Sequence, residues 1–286
     1  MIDKVKIARS FSRSAETYDQ VAYFQREVGL TLLDFFSQTV EKNDPVEKND
    51  SIQKSGNKTE SYCIDIGCGT GFFKNKIEAV LPAIQYVGLD LAEGMLSYVN
   101  NKTLSNNDSD KQNAKKPLLI CADAEKLPLA DNAADYLFSN MALQWCNNLP
   151  RLFSEAKRVL SPKGVFAFTT LGPKTLYELK QAWSQVDSLT HVNEFLELDE
   201  WKKAIVESGF SIELEKQKET ILEYTSVITL LKELKLLGAH NVNDGQRQSL
   251  TAPKRLQKLL TSYGKCKEGL FYPASYDVYY WVLRKE

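Results

Sequence analysis

The chain of 286 residues is 43% hydrophobic and 26% charged, enough to bury a large core as one domain or one domain with an insertion. Its net charge of −1 excludes a general attraction to nucleic acid or anionic membrane, so any polyanion preference must come from a local patch. The five scattered cysteines form no Cys-x-x-Cys pair and the two histidines, His191 and His240, lie far apart, so reduced thiols and no metal site are expected.

The start, MIDKVKIARSF, is charged where a signal peptide needs an apolar run. No apolar stretch approaches the roughly 18 residues that span a bilayer, so a cytoplasmic protein is expected. Val21, Phe24, Val28, Leu32 and Phe35 recur at three- and four-residue steps and predict amphipathic helices in an N-terminal segment, 1–37. Residues 38–61 and 100–116 are polar and hold few large apolar side chains, so both read as solvated connections.

Strands over 62–66, 84–90, 117–123, 134–140 and 164–171 alternate with helices over 72–80, 93–99, 150–160 and 175–186. A helix over 199–208 leads into a strand over 210–224, and the aromatic run 271–283 reads as the last strand. The stretch 225–263 between those two strands predicts two inserted helices. The fold class expected is α/β: a doubly wound, mostly parallel sheet of seven strands over 62–286, with helices on both faces.

The first strand runs into Gly67-Cys68-Gly69-Thr70-Gly71, where a doubly wound sheet brings ligands close to the backbone. A glycine loop alone is equally a tight strand-to-helix turn. A dinucleotide site would read Gly-x-Gly-x-x-Gly, and Asp65 in front of the loop is awkward for a pyrophosphate but suits a cationic ligand. Asp90 ends the second strand at the spacing of a ribose-binding acid, Asp123 ends the third and Asn140 closes the fourth. Turns favour Asp and Asn at any one strand end, but here four consecutive strands place a polar residue on one sheet edge.

This constellation resembles the class I S-adenosylmethionine-dependent methyltransferases, through DIGCGTG, Asp90, CADAEKLP and RVLSPKGVFAFTT. The resemblance implies that Asp65 and Gly67 face the methionine part, Asp90 the ribose, and Asp123 with Ala124 the adenine, with Gln25, Cys68, Gly69, Leu91 and Asn140 also at the cofactor. It narrows further. FSRSAETYDQVAYFQ, SNMALQWC, FTTLGPKTLYELKQAW, HVNEFL, LLKELKLLGAHN and LTAPKRLQKL, in that order, resemble the malonyl-acyl-carrier-protein O-methyltransferases of biotin synthesis over nearly the whole chain. The long polar connections are the departures.

That resemblance implies methyl transfer to the free carboxylate of a malonyl thioester. A carboxylate is already ionised at neutral pH, so positioning residues are expected and no general base. The candidates are Tyr18, Gln144, Trp145 and His191. Tyr18 also fits a surface aromatic, Trp145 a core residue and His191 a plain loop histidine. An acidic carrier protein implies a basic face, and Lys232, Lys235, Lys254, Arg255 and Lys258 of the insertion offer one, although an ordinary solvated face has the same composition. Neither nucleic acid nor membrane is an expected partner. The alternatives are a methyltransferase of the same fold acting on a small molecule of the quinone-precursor type, and a non-catalytic module that binds S-adenosylmethionine.

Overall fold

The computed structural model describes residues 2–43, 60–105, 117–239 and 253–286. Two helices open the chain, α1 (Lys4–Val21) and α2 (Tyr23–Asn43). Then follow β1 (Ser61–Ile66), α3 (Lys74–Val80), β2 (Ile84–Asp90), α4 (Glu93–Ser105), β3 (Leu118–Cys121) and β4 (Ala134–Ser139). The second half holds α5 (Leu149–Val159), β5 (Leu160–Leu171), α6 (Tyr177–Ser184), α7 (Leu198–Glu207) and β6 (Phe210–Tyr224). It closes with α8 (Val227–Leu236), α9 (Pro253–Tyr263) and β7 (Tyr272–Lys285).

The sheet has seven strands in the order β3-β2-β1-β4-β5-β7-β6. β1 pairs in parallel with both β2 and β4, so strand order reverses at β1 and a crevice opens at its carboxyl end. β7 alone runs against the others, pairing antiparallel with β5 and β6. Cys63, Ile64, Asp65 and Ile66 are all buried, as a central strand covered on both faces requires. One layer packs Phe24, Val28, Leu32 and Phe36 of α2 on the sheet, and the other packs Leu152 and Phe153 of α5 with Trp201 of α7. Each such side chain contributes roughly 1.5–3 kcal/mol by leaving water.

Both polar connections begin later than the composition indicated. α2 continues through Asn43 because Thr39 is buried on its inner face, and α4 continues through Ser105. The remainder, 44–59 and 106–116, lies outside the described residues, as do His240 and the stretch 240–252. β3 stops at Cys121, so Asp123 lies in the turn beyond it, closed by a bridge to Lys126. Among the described residues no helix is long and apolar enough to cross a membrane.

Candidate active site

The glycine loop is built by backbone need at two points. Gly67 has φ +74°, and a Cβ there would stand 2.3 Å from the Cβ of Ala142. Gly69 has φ +53° and nothing within 4 Å of its would-be Cβ, so the loop is open on that side. The Gly67 and Cys68 amides donate to the Leu89 carbonyl at 2.7 and 3.1 Å. The Gly69 amide donates to Asp90 Oδ2 at 2.9 Å, and Asp90 Oδ1 accepts from the Ala92 amide at 2.7 Å. Burial raises the Asp90 carboxyl above its ordinary range, against those backbone bonds. Cys68 is also buried, its Sγ filling the space that a side chain on Gly88 would take, so it contributes backbone and packing.

Asp65 is 1% exposed and, among the described residues, its side chain is bonded only to the Tyr86 hydroxyl, which donates to Oδ2 at 2.7 Å. Burial, with a smaller push from the charge of Asp90, raises Asp65 to about 7 despite that bond. It shares a small cavity with Tyr18, Asp19, Gln25, Arg26, Thr70 and Asn140. Asp19 accepts from Thr70 at 2.7 Å and Arg26 at 2.9 Å, and is held below its usual range although burial opposes this. Asn140 spends both ends of its amide on the protein: Nδ2 donates to the Gln25 carbonyl at 2.8 Å and Oδ1 accepts from Thr169 at 2.9 Å. It therefore ties α2 to the end of β4 and shapes the cavity wall.

The neighbouring cleft runs over the strand ends and encloses about 750 Å³, partly open to solvent. Its floor is Gly67, Gly69, Asp90, Leu91, Ala122, Asp123 and Ala124, and its roof is Ile7, Ala8, Phe11 and Tyr18 of α1. Lys4 closes one end, with Nζ 2.7 Å from both Asp123 oxygens and 2.8 Å from Glu125 Oε1. Burial works against the Lys4 charge, but the two carboxylates outweigh it and hold the ammonium above its usual range. Asp123 thus reaches the cleft as one half of an ion pair with the first turn of α1.

A second chamber shares Phe11, Tyr18, Met141 and Trp145 with the cleft. Phe11 meets the Trp145 ring edge-on at 5.6 Å and 77°, so Trp145 is a wall between the two spaces. Leu176, Leu179 and Trp183 line another side, and α8 roofs the chamber with Leu231 and Leu234. The polar lining comes from Tyr18, Gln25, Gln144, Thr175, His191, Asn193 and Tyr276, with no Lys or Arg among the described residues. The Tyr18 hydroxyl has no hydrogen-bond partner among the described residues. Burial, then the charges of Asp90 and Asp19, push Tyr18 up, so its phenol remains a donor. Gln144 differs from its expected role: Nε2 donates to the Met141 carbonyl at 2.7 Å, which leaves the buried Oε1 unpartnered. An unpartnered acceptor suits an amide N–H and repels a carboxylate.

The basic residues divide. Lys232, Lys235, Lys254 and Lys258 are exposed on the outer sides of α8 and α9. Arg255 turns inward to a short ion pair with Asp187 and leaves that surface, because burial of α9 through Leu259 directs its neighbouring turn toward the segment after α6. Sequence reasoning missed Lys4, Asp19 and Asp187: Asp19 stands beside Tyr18 in the FSRSAETYDQVAYFQ segment, Lys4 and Asp187 carry no such signal, and only packing shows which charges meet.

Residues 64–168 match a family model described as a methyltransferase domain. The malonyl-[acyl-carrier protein] O-methyltransferase of Gallionella capsiferriformans is 36% identical over 98% of this chain and 90% of its own length. The biotin biosynthesis bifunctional protein BioHC of Saccharophagus degradans is 38% identical over 99% of this chain. The chain spans about half of that longer relative, 47%. Among solved structures, YcgJ of Bacillus subtilis superposes with a TM-score of 0.58 at 16% identity, over 90% of this chain and 98% of its own, a likeness of fold.

Proposed function

The chain belongs to the family of malonyl-[acyl-carrier protein] O-methyltransferases, and from that premise we propose that it methylates the free carboxylate of a malonyl thioester on an acyl carrier protein. S-adenosylmethionine would be the methyl donor, and the product the methyl ester that starts pimeloyl-chain assembly in biotin synthesis. The observation that carries this reading is the second chamber, which abuts the cleft through Tyr18 and Trp145 and holds the Tyr18 hydroxyl as a donor with no partner among the described residues.

The cleft fits the donor on its own chemistry. Asp65 is a buried carboxyl with no cationic partner among the described residues, and a ligand ammonium relieves it. Asp90 keeps lone pairs for two vicinal hydroxyls beyond the two amides it accepts. The slot of Ile7, Ala8, Leu91, Ala122 and Ala124 suits a flat ring, with Asp123 and Lys4 at its edge as acceptor and donor. Residues 1–37 would act as a lid, since α1 carries Lys4, Phe11 and Tyr18 together.

When bound, S-adenosylmethionine supplies a methyl group on a sulfonium; the carboxylate oxygen–carbon bond forms, the sulfur–carbon bond breaks, and no proton moves. The residues of the chain place and dry the acceptor. Tyr18 donates to a carboxylate oxygen, and Gln25 stands beside it from α2. Phe11 and Trp145 stand between the chamber and the cleft and exclude water from the acceptor.

The Asp65 carboxyl makes donor-site binding pH-dependent. Its raised value means that the ligand-free fold gains from Asp65 below about pH 4 and loses that contribution as pH rises through about 7. A ligand ammonium favours the ionised form, so affinity for S-adenosylhomocysteine rises with pH up to about 7 and then levels. Calorimetry across that range should show the rise in the wild type and its flattening in Asp65→Asn.

The carrier protein is expected on the Lys232, Lys235, Lys254 and Lys258 surface. Reversing Lys254 and Lys258 to Glu should raise KM for the malonyl carrier protein at low salt and flatten its salt dependence, since such charges act over about 10 Å at 0.1 M salt. A small malonyl thioester should be used as by the wild type; equal losses for both substrates would move the docking site elsewhere. The chemical reading itself is tested by offering malonyl and acetyl thioesters side by side. Only the malonyl form has the carboxylate, and methylation of neither would leave the chain a binding module.

A further inference from the structure

Resting on the reading that the chamber receives a carboxylate, the geometry points to Asp187 as the positioning residue that presents His191 to it, with Arg255 of α9 holding Asp187 in turn. Neither Asp187 nor Arg255 lines the chamber; His191 does. Asp187 lies just past α6, and its Oδ1 accepts from His191 Nε2 and from the Leu189 amide, both at 2.9 Å. Its Oδ2 accepts from Arg255. Burial alone would raise the Asp187 carboxyl, but the bonds from Arg255 and His191 bring it down to about 2. An ionised carboxylate only accepts, so the proton on Nε2 of His191 is fixed.

The ring itself is held. It stacks on Trp183 with centroids 3.6 Å apart and planes 10° from parallel, so it cannot turn without losing both contacts. Nδ1 therefore remains as the free ring atom, with no hydrogen-bond partner among the described residues. Among the described residues the charged group that bonds the ring is Asp187, with Arg255 of α9 behind it; Glu194 follows on the same segment, and Lys180 of α6 lies over Phe195. α1 contributes the neutral Tyr18, and α8 contributes Leu231 and Leu234.

With Nε2–H committed to Asp187, Nδ1 is the ring atom left for the chamber, so Asp187 sets the hydrogen-bonding character that His191 offers there and Trp183 sets its direction. The same arrangement links α9, whose outer side carries Lys254 and Lys258, to the chamber through the Arg255–Asp187 ion pair.

The test combines ring ¹⁵N shifts with kinetics on the full chain. In the wild type saturated with S-adenosylhomocysteine, the His191 signal, assigned with His191→Gln, should show Nε2 protonated. Asp187→Asn should lower kcat/KM for malonyl-carrier protein by about tenfold or more, the loss of a charge-assisted bond. The dissociation constant of S-adenosylhomocysteine should stay within about twofold, because the donor cleft does not contain this group. Arg255→Gln should act in the same direction but less, and Asp187→Asn/Arg255→Gln should be no worse than Asp187→Asn, since Arg255 works through Asp187. A neutral ring with its proton on Nδ1 would overturn the proposal, as would fully multiplicative losses in the double variant or a parallel loss of S-adenosylhomocysteine binding. If the wild type methylates no malonyl thioester, the functional reading fails, and the ring shifts in Asp187→Asn still decide whether Asp187 sets the tautomer.

Discussion

Asp90→Ala is expected to weaken S-adenosylhomocysteine binding by about 1.5–3 kcal/mol, roughly 10- to 100-fold, through loss of a charge-assisted acceptor. The carboxylate also accepts the Gly69 and Ala92 amides, so the Ala variant frees the loop as well as the ligand. Asp90→Asn separates the two effects. Its amide oxygen can still accept one backbone N–H, and it removes a charge that burial already disfavours. Thermal midpoints should therefore fall more for Ala than for Asn, while both variants lose affinity to a similar extent. Calorimetry on folded protein checks this, and unchanged affinity in either variant would remove Asp90 from the ligand site.

Tyr18→Phe is expected to cut turnover with malonyl-carrier protein by about 10- to 100-fold, the worth of a hydrogen bond to a charged group. The hydroxyl has no partner among the described residues, so its removal orphans nothing and the thermal midpoint should stay put. The ring remains to separate the cleft from the chamber, so affinity for S-adenosylhomocysteine should hold within about twofold. Stopped-flow or steady-state rates beside calorimetry give both quantities. Equal losses in rate and affinity would make the hydroxyl a donor-site contact, and no loss in either would make Tyr18 structural.

The sheet was legible in the sequence because its signals are local. Apolar runs ending in Asp65 and Asp90 alternate with helical periodicity, and the seven strands appear where those runs stand. The ends of elements were less legible: α2 and α4 carry polar residues on their outer faces, and composition cannot separate a solvated helical turn from a loop. That Gly67, Asp90 and Asp123 line one cleft was legible because they sit at or just past strand ends, which topology brings together. The chamber was readable only in part. Tyr18 and His191 meet there through packing of α1, α6 and α8 that no spacing encodes. Which end of the Gln144 amide faces inward was not legible, since the Met141 carbonyl decides it. Arg255 looked like its lysine neighbours on a helical wheel, and only the approach of Asp187 shows that it points the other way.

The central claim is that the methyl group goes to the malonyl carboxylate. It is tested most directly by incubating the protein with methyl-labelled S-adenosylmethionine and malonyl-carrier protein, then treating the product with mild alkali. The account predicts label on the carrier protein that alkali releases as methanol, absent with acetyl-carrier protein and strongly reduced in Tyr18→Phe. Label that survives alkali, or that appears equally on the acetyl form, would place the methyl on another atom and contradict the account.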